Sequence, residues 1–194
     1  RHNFAQNAIG TSDGYMGWGR GDDEHRMVLQ VLPCDYEYLR TMQLKIVEGR
    51  DFRESDMKTG AYVLNKTAMA QYKWLVGGDS IGRQNYWGPQ SNYNIVGVCN
   101  NFKLKSMRCD NSNVAVAFVI FGPDMAEWGD RCGQVFVRVA KNQDKIEAKR
   151  RIAEVLNKLD GSQKYEMNFL DDDLQQTYVE EFRFISQVKL FAII

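Results

Sequence analysis

The histidines and aspartates of this chain are the residues whose types could do acid-base or metal chemistry. His2 and His25 are its only imidazoles. Both lie in or beside a glycine-rich N-terminal stretch, so a Ser-His-Asp or Cys-His arrangement would have to be built on a loop. The sequence motifs of zinc proteases, serine hydrolases, kinases and phosphate-binding loops are absent. We therefore predict no catalytic residues and no enzyme activity.

Three consecutive aspartates, Asp171, Asp172 and Asp173, form an acidic cluster that could hold a hard cation such as calcium. Acidic residues at the start of a helix also cap free N–H groups and complement the helix dipole, which explains the cluster without an ion. We therefore predict that a helix starts here and that the chain holds neither a metal nor a cofactor.

The four cysteines lack a CxxC pair and a histidine at zinc-binding spacing. In an oxidising compartment three pairings are open to them, and a disulfide between Cys109 and Cys132 would enclose the apolar segment 114–121. Cys34 and Cys99 lie in strand-like surroundings, which favours buried, reduced thiols.

The composition limits the classes of protein that the chain can belong to. Its 194 residues include 25 Lys plus Arg and 25 Asp plus Glu, so the net charge is zero. A neutral chain has no field to neutralise phosphates, which argues against binding of nucleic acid. No run reaches the about 18 apolar residues of a membrane span. However, residues 182–194 become more apolar up to the last position. We interpret them as the start of a membrane entry, and a terminal helix packed on its own domain is the alternative.

The hydrophobic pattern predicts two β-α-β units far apart in the chain. In the first, residues 26–32 form a strand, Asp35 caps a short helix, and residues 44–48 form a strand. In the second, residues 134–140 and 165–170 are the strands. Together the two units indicate one split, ferredoxin-like α/β lobe.

The helix of the second unit is predicted to start at an N-cap residue, Asn142, and to end at Gly161. One of its faces is apolar and consists of Ala148, Ile152, Val155, Leu156 and Leu159. A last helix follows the acidic cluster, and its apolar residues Leu174, Tyr178, Phe182 and Ile185 have 4-4-3 spacing.

The residues between the two units read as an inserted, mostly β lobe. Residues 61–64 form a short strand, and Asn65 caps a small helix after it. The remaining strand-like segments are residues 81–83, 93–99 and 114–121.

Six short blocks carry a resemblance to a known family. They are DYEYL at 35–39, VEGRDF at 47–52, AYVLN at 61–65, IGR at 81–83, IVGVCNNF at 95–102, and FLD at 169–171 with Tyr178. In order and spacing they resemble the MacB-like periplasmic core domain of FtsX-like ABC transporter permeases, in the form common among Bacteroidetes. The match covers residues 27–194. It departs at Cys99 and Asn101, where the family more often has an aliphatic residue and Asp.

The resemblance implies an α+β fold of two lobes. Residues 27–50 and 134–172 would form a split porter-like α/β lobe, and residues 51–133 an inserted β-rich lobe. Residues 1–26 would be a linker from a preceding membrane helix, and residues 173–194 a stalk helix that leads into the next span.

The resemblance also implies a non-catalytic domain on the periplasmic side of the bacterial inner membrane. The permease would work as a dimer with a cytoplasmic ATPase, and with an envelope or outer-membrane protein as a further candidate partner. ATP-driven motion would then export or release a lipoprotein, a peptide or a small amphiphile. A ligand-sensing ectodomain that regulates a transporter or a paired kinase is the alternative. Aromatic side chains contribute much of the binding energy of interfaces, so the candidate partner contacts are Trp18, Trp74, Trp87 and Trp128.

Overall fold

The computed structural model describes residues 16–19, 24–83, 92–102, 114–122, 135–159, 161 and 165–172. The chain divides into two compact units, Arg1–Phe136 and Val137–Ile194. The strands of the first unit are β1 Met16–Gly19, β2 Arg26–Pro33, β3 Ile46–Gly49, β4 Ala61–Asn65, β5 Ser80–Arg83, β6 Asn92–Cys99 and β7 Val116–Ile120. Its helices are α1 Tyr38–Thr41, α2 Asp56–Thr59 and α3 Lys66–Gln71. The second unit contains α4 Lys145–Leu159.

Six of the strands close into a ring. The strand order is β3, β6, β4, β7, β2, β1, β5, and β5 pairs again with β6. The ring therefore runs through β6, β4, β7, β2, β1 and β5, while β3 lies beside β6. The pairs β2–β7 and β4–β6 are parallel, and the other pairs are antiparallel. Closure gives each strand of the ring two partner strands, and β3 forms an edge beside β6.

The two longest strands form the corners of this ring. The first half of β2 pairs with β1, and its second half, from Gln30 onward, pairs with β7. The first half of β6 pairs with β5, and its second half, from Ile95 onward, pairs with β4. A strand that changes its partner in this way carries the sheet around a corner.

Two hydrophobic cores lie on opposite faces of β4 and β7, whose residues are all buried. Tyr62 and Leu64 belong to the first core, and Ala61 and Val63 to the second, because side chains alternate between the faces of a strand. The first core collects side chains from β2, β4, β5, β6 and β7 and from Ala68 of α3. The second core packs the outer face under Leu39 of α1 and nearby aromatic residues.

The strands predicted between residues 26 and 121 are confirmed, with shifts of one or two residues at their ends. The side chain of Asn65 caps α3 as predicted, accepting a hydrogen bond from Ala68 N at 2.9 Å. The α+β character of the fold is also confirmed.

Both predicted strands of the second β-α-β unit are wrong, since residues 135–140 and 165–169 are not in strands. Val135 and Val137 are 83% and 55% exposed. An alternating apolar run becomes a strand when a neighbouring strand and a core take up its backbone and its apolar face. Along the described part of this run, residues 135–140, no side chain is buried.

Two of the predicted helix caps are also wrong. The carboxylate of Asp35 accepts a hydrogen bond from Glu37 N at 3.0 Å, so it stabilises the turn before α1 rather than the helix. Asn142 lies in the turn before α4, and the carboxylate of Asp144 instead accepts a hydrogen bond from Ile146 N at 2.7 Å. In both places a turn separates the predicted cap from the helix.

The division into a split α/β lobe and an inserted β lobe is not confirmed. β2, from the predicted 27–50 segment, pairs with β7 from the predicted insertion. β3, from the same segment, pairs with β6. Within the described ranges, no helix has the length and apolar character needed to span a membrane.

Candidate functional site

Trp74 is the predicted partner contact whose side chain the structure describes. It is half-buried against the first core, and its ring meets the His25 ring edge-on at a centroid distance of 4.8 Å. For Trp18 the structure gives the backbone in β1 only. Trp87 and Trp128 lie outside the described residues.

Residues 72–79, the Trp74 loop, are fixed to the ring at both ends. The Tyr72 hydroxyl accepts a hydrogen bond from Val28 N at 2.8 Å and donates one to Val28 O at 3.1 Å. At the other end, Ile95 N donates to Asp79 O at 2.7 Å, and Gly78 N donates to Ile95 O at 3.2 Å. Leu75 is buried in the first core.

The anchored Trp74 loop presents apolar groups to solvent. Val76 is 60% exposed, and Val28, which Tyr72 contacts, is 57% exposed. The loop therefore holds the exposed Val76 and the half-buried Trp74 ring on a fixed backbone. Such a surface suits binding of a partner, because little loop entropy is lost when the backbone is already held.

The structure describes two of the four cysteines, Cys34 and Cys99. Cys34 and Cys99 are buried in the second core, as predicted. Burial raises the pKa of the Cys99 thiol to about 12, with a smaller contribution from the negative charge of Asp51, so Cys99 is not a thiolate at neutral pH. Cys109 and Cys132 lie outside the described residues, and their disulfide stays a prediction.

Two of the blocks that carry the family resemblance pack against each other. Gly49 has φ +69°, and a Cβ there would lie 2.4 Å from Val96 O. Arg50 N donates to the same oxygen at 2.9 Å. A Cβ on Gly97 would lie 2.1 Å from Arg50 O. The glycines of VEGRDF and IVGVCNNF are therefore required by a backbone contact between β3 and β6.

Directly after this contact, Arg50 and Asp56 form a bidentate ion pair. The Arg50 guanidinium donates to both carboxylate oxygens of Asp56, at 2.7 and 2.8 Å, and to Asp51 O at 2.9 Å. Asp56 is 4% exposed and also accepts a hydrogen bond from Arg53 N at 2.8 Å. Sequence reasoning missed this pair, although the arginine and the aspartate lie six residues apart in and just after a block that it singled out.

The electrostatics of Asp56 are those of a structural ion pair. Burial by itself would raise the pKa of this carboxyl, but the hydrogen bonds from Arg50 and Arg53 N, together with the positive charges, hold the pKa below its ordinary value. Asp56 therefore stays ionised at neutral pH, which suits a fixed structural role and does not suit an acid-base catalyst.

Asn65 holds three parts of the first unit together. Besides capping α3, its Oδ1 accepts a hydrogen bond from Val116 N at 3.0 Å, and its Nδ2 donates to Val114 O at 2.8 Å. Asn101, one of the departures from the family pattern, accepts a hydrogen bond from Thr67 N at 3.0 Å. An aspartate would accept the same bond, so this departure keeps the local contact.

The acidic cluster of the second unit begins as predicted, since residues 170–172 are helical. Asp171 lies 3.4 Å from the Nζ atom of Lys145. Asp173 lies outside the described residues. In the part of the chain that the structure describes, no group of three His, Cys, Asp or Glu side chains is placed to hold a metal ion.

Several solved structures share this fold. One is the periplasmic region of MacB from Actinobacillus actinomycetemcomitans, with a TM-score of 0.58, 15% identity, and coverage of 86% of this chain and 72% of that one. The chain has the fold of a MacB periplasmic region. The extracellular domain of the noncanonical ABC-type transporter YknZ from Gram-positive bacteria gives a TM-score of 0.54, 16% identity, and coverage of 85% and 87%.

The third structure is a domain of a putative permease protein from Porphyromonas gingivalis. Its TM-score is 0.53 and its identity 14%, with coverage of 76% of this chain and 67% of that domain. No family model matches the chain, and no curated protein matches it. The predicted resemblance to MacB-like periplasmic domains is therefore confirmed at the level of the fold.

Proposed function

We propose that this MacB-like fold is the extracytoplasmic domain of an ABC transporter permease that faces the periplasm from the bacterial inner membrane. The observation that carries the proposal is the shared fold with the MacB periplasmic region, the YknZ extracellular domain and a putative permease domain. Fold alone does not fix function, and the sequence blocks that resemble this family give independent support.

In this proposal the domain is a non-catalytic transmitter. A separate cytoplasmic ATPase hydrolyses ATP, and the motion enters the domain through residues 1–26 and 173–194, in a dimer of permeases. The closed ring with two packed cores supports the idea, because a close-packed body moves as a unit and passes displacement on. The cargo would be a lipoprotein, a peptide or a small amphiphile.

The aromatic residues predicted as contacts would meet an envelope partner. Trp74 is the best supported of these residues, because it lies on an anchored loop beside the exposed Val76. The roles of Trp18, Trp87 and Trp128 are proposed from the sequence alone.

A cross-linking experiment on the intact transporter tests the mechanism. Paired cysteines that join residues 173–194 of one subunit to the same segment of its dimer mate are expected to abolish export and to leave ATP binding intact. The same variant under reducing conditions is the control. Unchanged export in the cross-linked form would contradict mechanical coupling. A wild-type protein that exports nothing, but changes the activity of a paired kinase when ligand is added, would support the sensor alternative.

A further inference from the structure

Each corner strand of the ring has a seam, which we define as the place where the strand changes its partner. In β2, residues 26–29 pair with β1, and the strand pairs with β7 from Gln30 onward. In β6, residues 92–94 pair with β5, and the strand pairs with β4 from Ile95 onward. Among the described strands, the residues next to a seam therefore pair on one side only, and their remaining backbone N–H and C=O groups need other partners.

The Trp74 loop supplies such partners at both seams. The Tyr72 hydroxyl bonds with both the N–H and the C=O of Val28, in the place that a neighbouring strand would take. At the other seam, Asp79 O accepts a hydrogen bond from Ile95 N, and Gly78 N donates one to Ile95 O. One short loop therefore satisfies the backbone of β2 and the backbone of β6 beside the point where each strand changes its partner.

Internal hydrogen bonds make the loop a firm connection between the two seams. Leu75 N donates to Tyr72 O at 2.9 Å, and Asp79 N donates to Val76 O at 3.1 Å, so one turn follows directly on another. The Asp79 carboxylate closes the second turn by accepting a hydrogen bond from Val76 N at 2.8 Å. Leu75 is buried in the first core, so movement of the loop exposes an apolar side chain.

We propose that the Trp74 loop is a strap that couples the two seams of the ring. When its bonds at one seam break, the other seam opens with it, because the two turns leave no flexible stretch between them. Folded proteins open locally in such cooperative units, at a lower free energy than global unfolding. The proposal does not depend on transport. One consequence rests on the proposed function: an envelope partner bound at Trp74 and Val76 would hold both seams closed.

Amide hydrogen exchange in the 194-residue chain, followed by NMR, tests the coupling. Tyr72→Phe removes the hydroxyl and keeps the ring against the first core. Val28 N then loses its acceptor directly, whereas Ile95 N bonds with Asp79 O and has no bond to Tyr72. We expect exchange at both amides to become about two- to tenfold faster, the range for the net loss of one hydrogen bond, because both open with the strap.

The matched control is Tyr36→Phe, because it removes the same hydroxyl from a half-buried tyrosine at the second core. It is expected to leave exchange at both seams unchanged. Arg50 N, which donates to Val96 O outside the strap, is the reference for global unfolding. Unchanged exchange at Ile95 N in Tyr72→Phe overturns the proposal. An equal acceleration at Arg50 N, or the same acceleration in the control variant, overturns it as well.

A substitution at the other end of the loop tests the reverse direction, because coupling between two sites is reciprocal. Asp79→Ala removes the carboxylate that closes the second turn, whereas Asp79→Asn keeps an oxygen that can accept the hydrogen bond from Val76 N. Asp79→Ala is expected to speed exchange at Val28 N by about two- to tenfold, and Asp79→Asn to change it less. Equal exchange at Val28 N in the two variants overturns the coupling, and this comparison decides the question if Tyr72→Phe does not fold. Neither measurement involves export, so a failure here leaves the proposed function as it stands.

Discussion

The two units of the chain differ in how their apolar residues are covered. In the first unit β4 and β7 are buried on both faces, between two cores. In the second unit Val137, Val155 and Leu159 are exposed, and residues 165–169 are not in a strand. Apolar residues are covered on both faces of these strands in the first unit and stay exposed in the second, and an apolar segment becomes a strand where other residues cover it.

The largest expected effect tests this difference directly. Phe118 is fully buried in the second core, with its ring 5.3 Å from Phe102 and 5.8 Å from Tyr38. Phe118→Ala should lower the free energy of unfolding by about 3–5 kcal/mol, since it removes buried apolar surface and leaves a cavity. The measurement is urea denaturation followed by circular dichroism.

The matched control for Phe118 lies in the second unit. Val137 is exposed, so Val137→Ala should change the free energy of unfolding by less than about 0.5 kcal/mol. Similar losses for the two variants would contradict the difference in packing between the units.

The next prediction concerns the loss of stability when a buried carboxylate is neutralised, compared with the loss at an exposed carboxylate. Asp56 accepts hydrogen bonds from Arg50 and Arg53 N in the first unit. Asp56→Asn should lower the free energy of unfolding at pH 7 by about 1.5–3 kcal/mol, the range for hydrogen bonds to a charged group. The folded-state pKa of Asp56 lies below its ordinary value. The stabilisation is therefore complete above the unfolded-state pKa of about 4 and disappears as the pH falls through the folded-state pKa.

The measurement is the difference in unfolding free energy between wild type and Asp56→Asn from pH 7 to pH 2.5. The control is Glu147→Gln, because hydrogen bonds from Arg150 and Arg151 lower the pKa of Glu147 to about 2 on an exposed face of α4. Solvent and salt screen such surface pairs, so this variant should have the smaller effect, and 1 M salt should remove it. A difference for Asp56→Asn that does not change with pH would contradict the ion pair.

The sequence predicted the first unit well because several of its local signals agree with its packing. The cap at Asn65 lies where a strand passes directly into a helix, so propensity and tertiary contacts favour the same residue. The pair of Arg50 and Asp56 could not be found in this way, because its contact depends on how residues 51–55 fold between the two side chains. The ring closure also escaped prediction, since hydrophobic periodicity does not tell which strands are neighbours.

The second unit was harder to predict because coverage by other residues decides the state of its segments. The helix pattern around Ala148 was correct, since a fifteen-residue helix is favoured by local hydrogen bonds and by its own apolar face. A short strand has no such local support. Residues 134–140 and 165–170 show how alternation without a partner strand misleads.

The smallest expected effects come from two glycine substitutions, which compare the packing of a strand with the packing of a loop in the first unit. A Cβ on Gly97 would lie 2.1 Å from Arg50 O, whereas a Cβ on Gly77 would meet no atom within 4 Å. Gly97→Ala must push two strands apart and should cost about 1–3 kcal/mol. Gly77→Ala should be neutral or slightly stabilising, by up to about 1 kcal/mol, because alanine restricts the unfolded chain.

Thermal unfolding of the two alanine variants is the measurement, and the substitutions match because each adds one methyl group. If Gly97→Ala unfolds at the wild-type temperature, the contact between β3 and β6 can relax, and the two family-like blocks are not held by close backbone packing. If Gly77→Ala is the more harmful variant, the Trp74 loop is packed more tightly than its open surroundings indicate. We expect Gly97→Ala to be the more destabilising variant, because the strands are tightly packed. The tip of the Trp74 loop is open and therefore accessible to a partner.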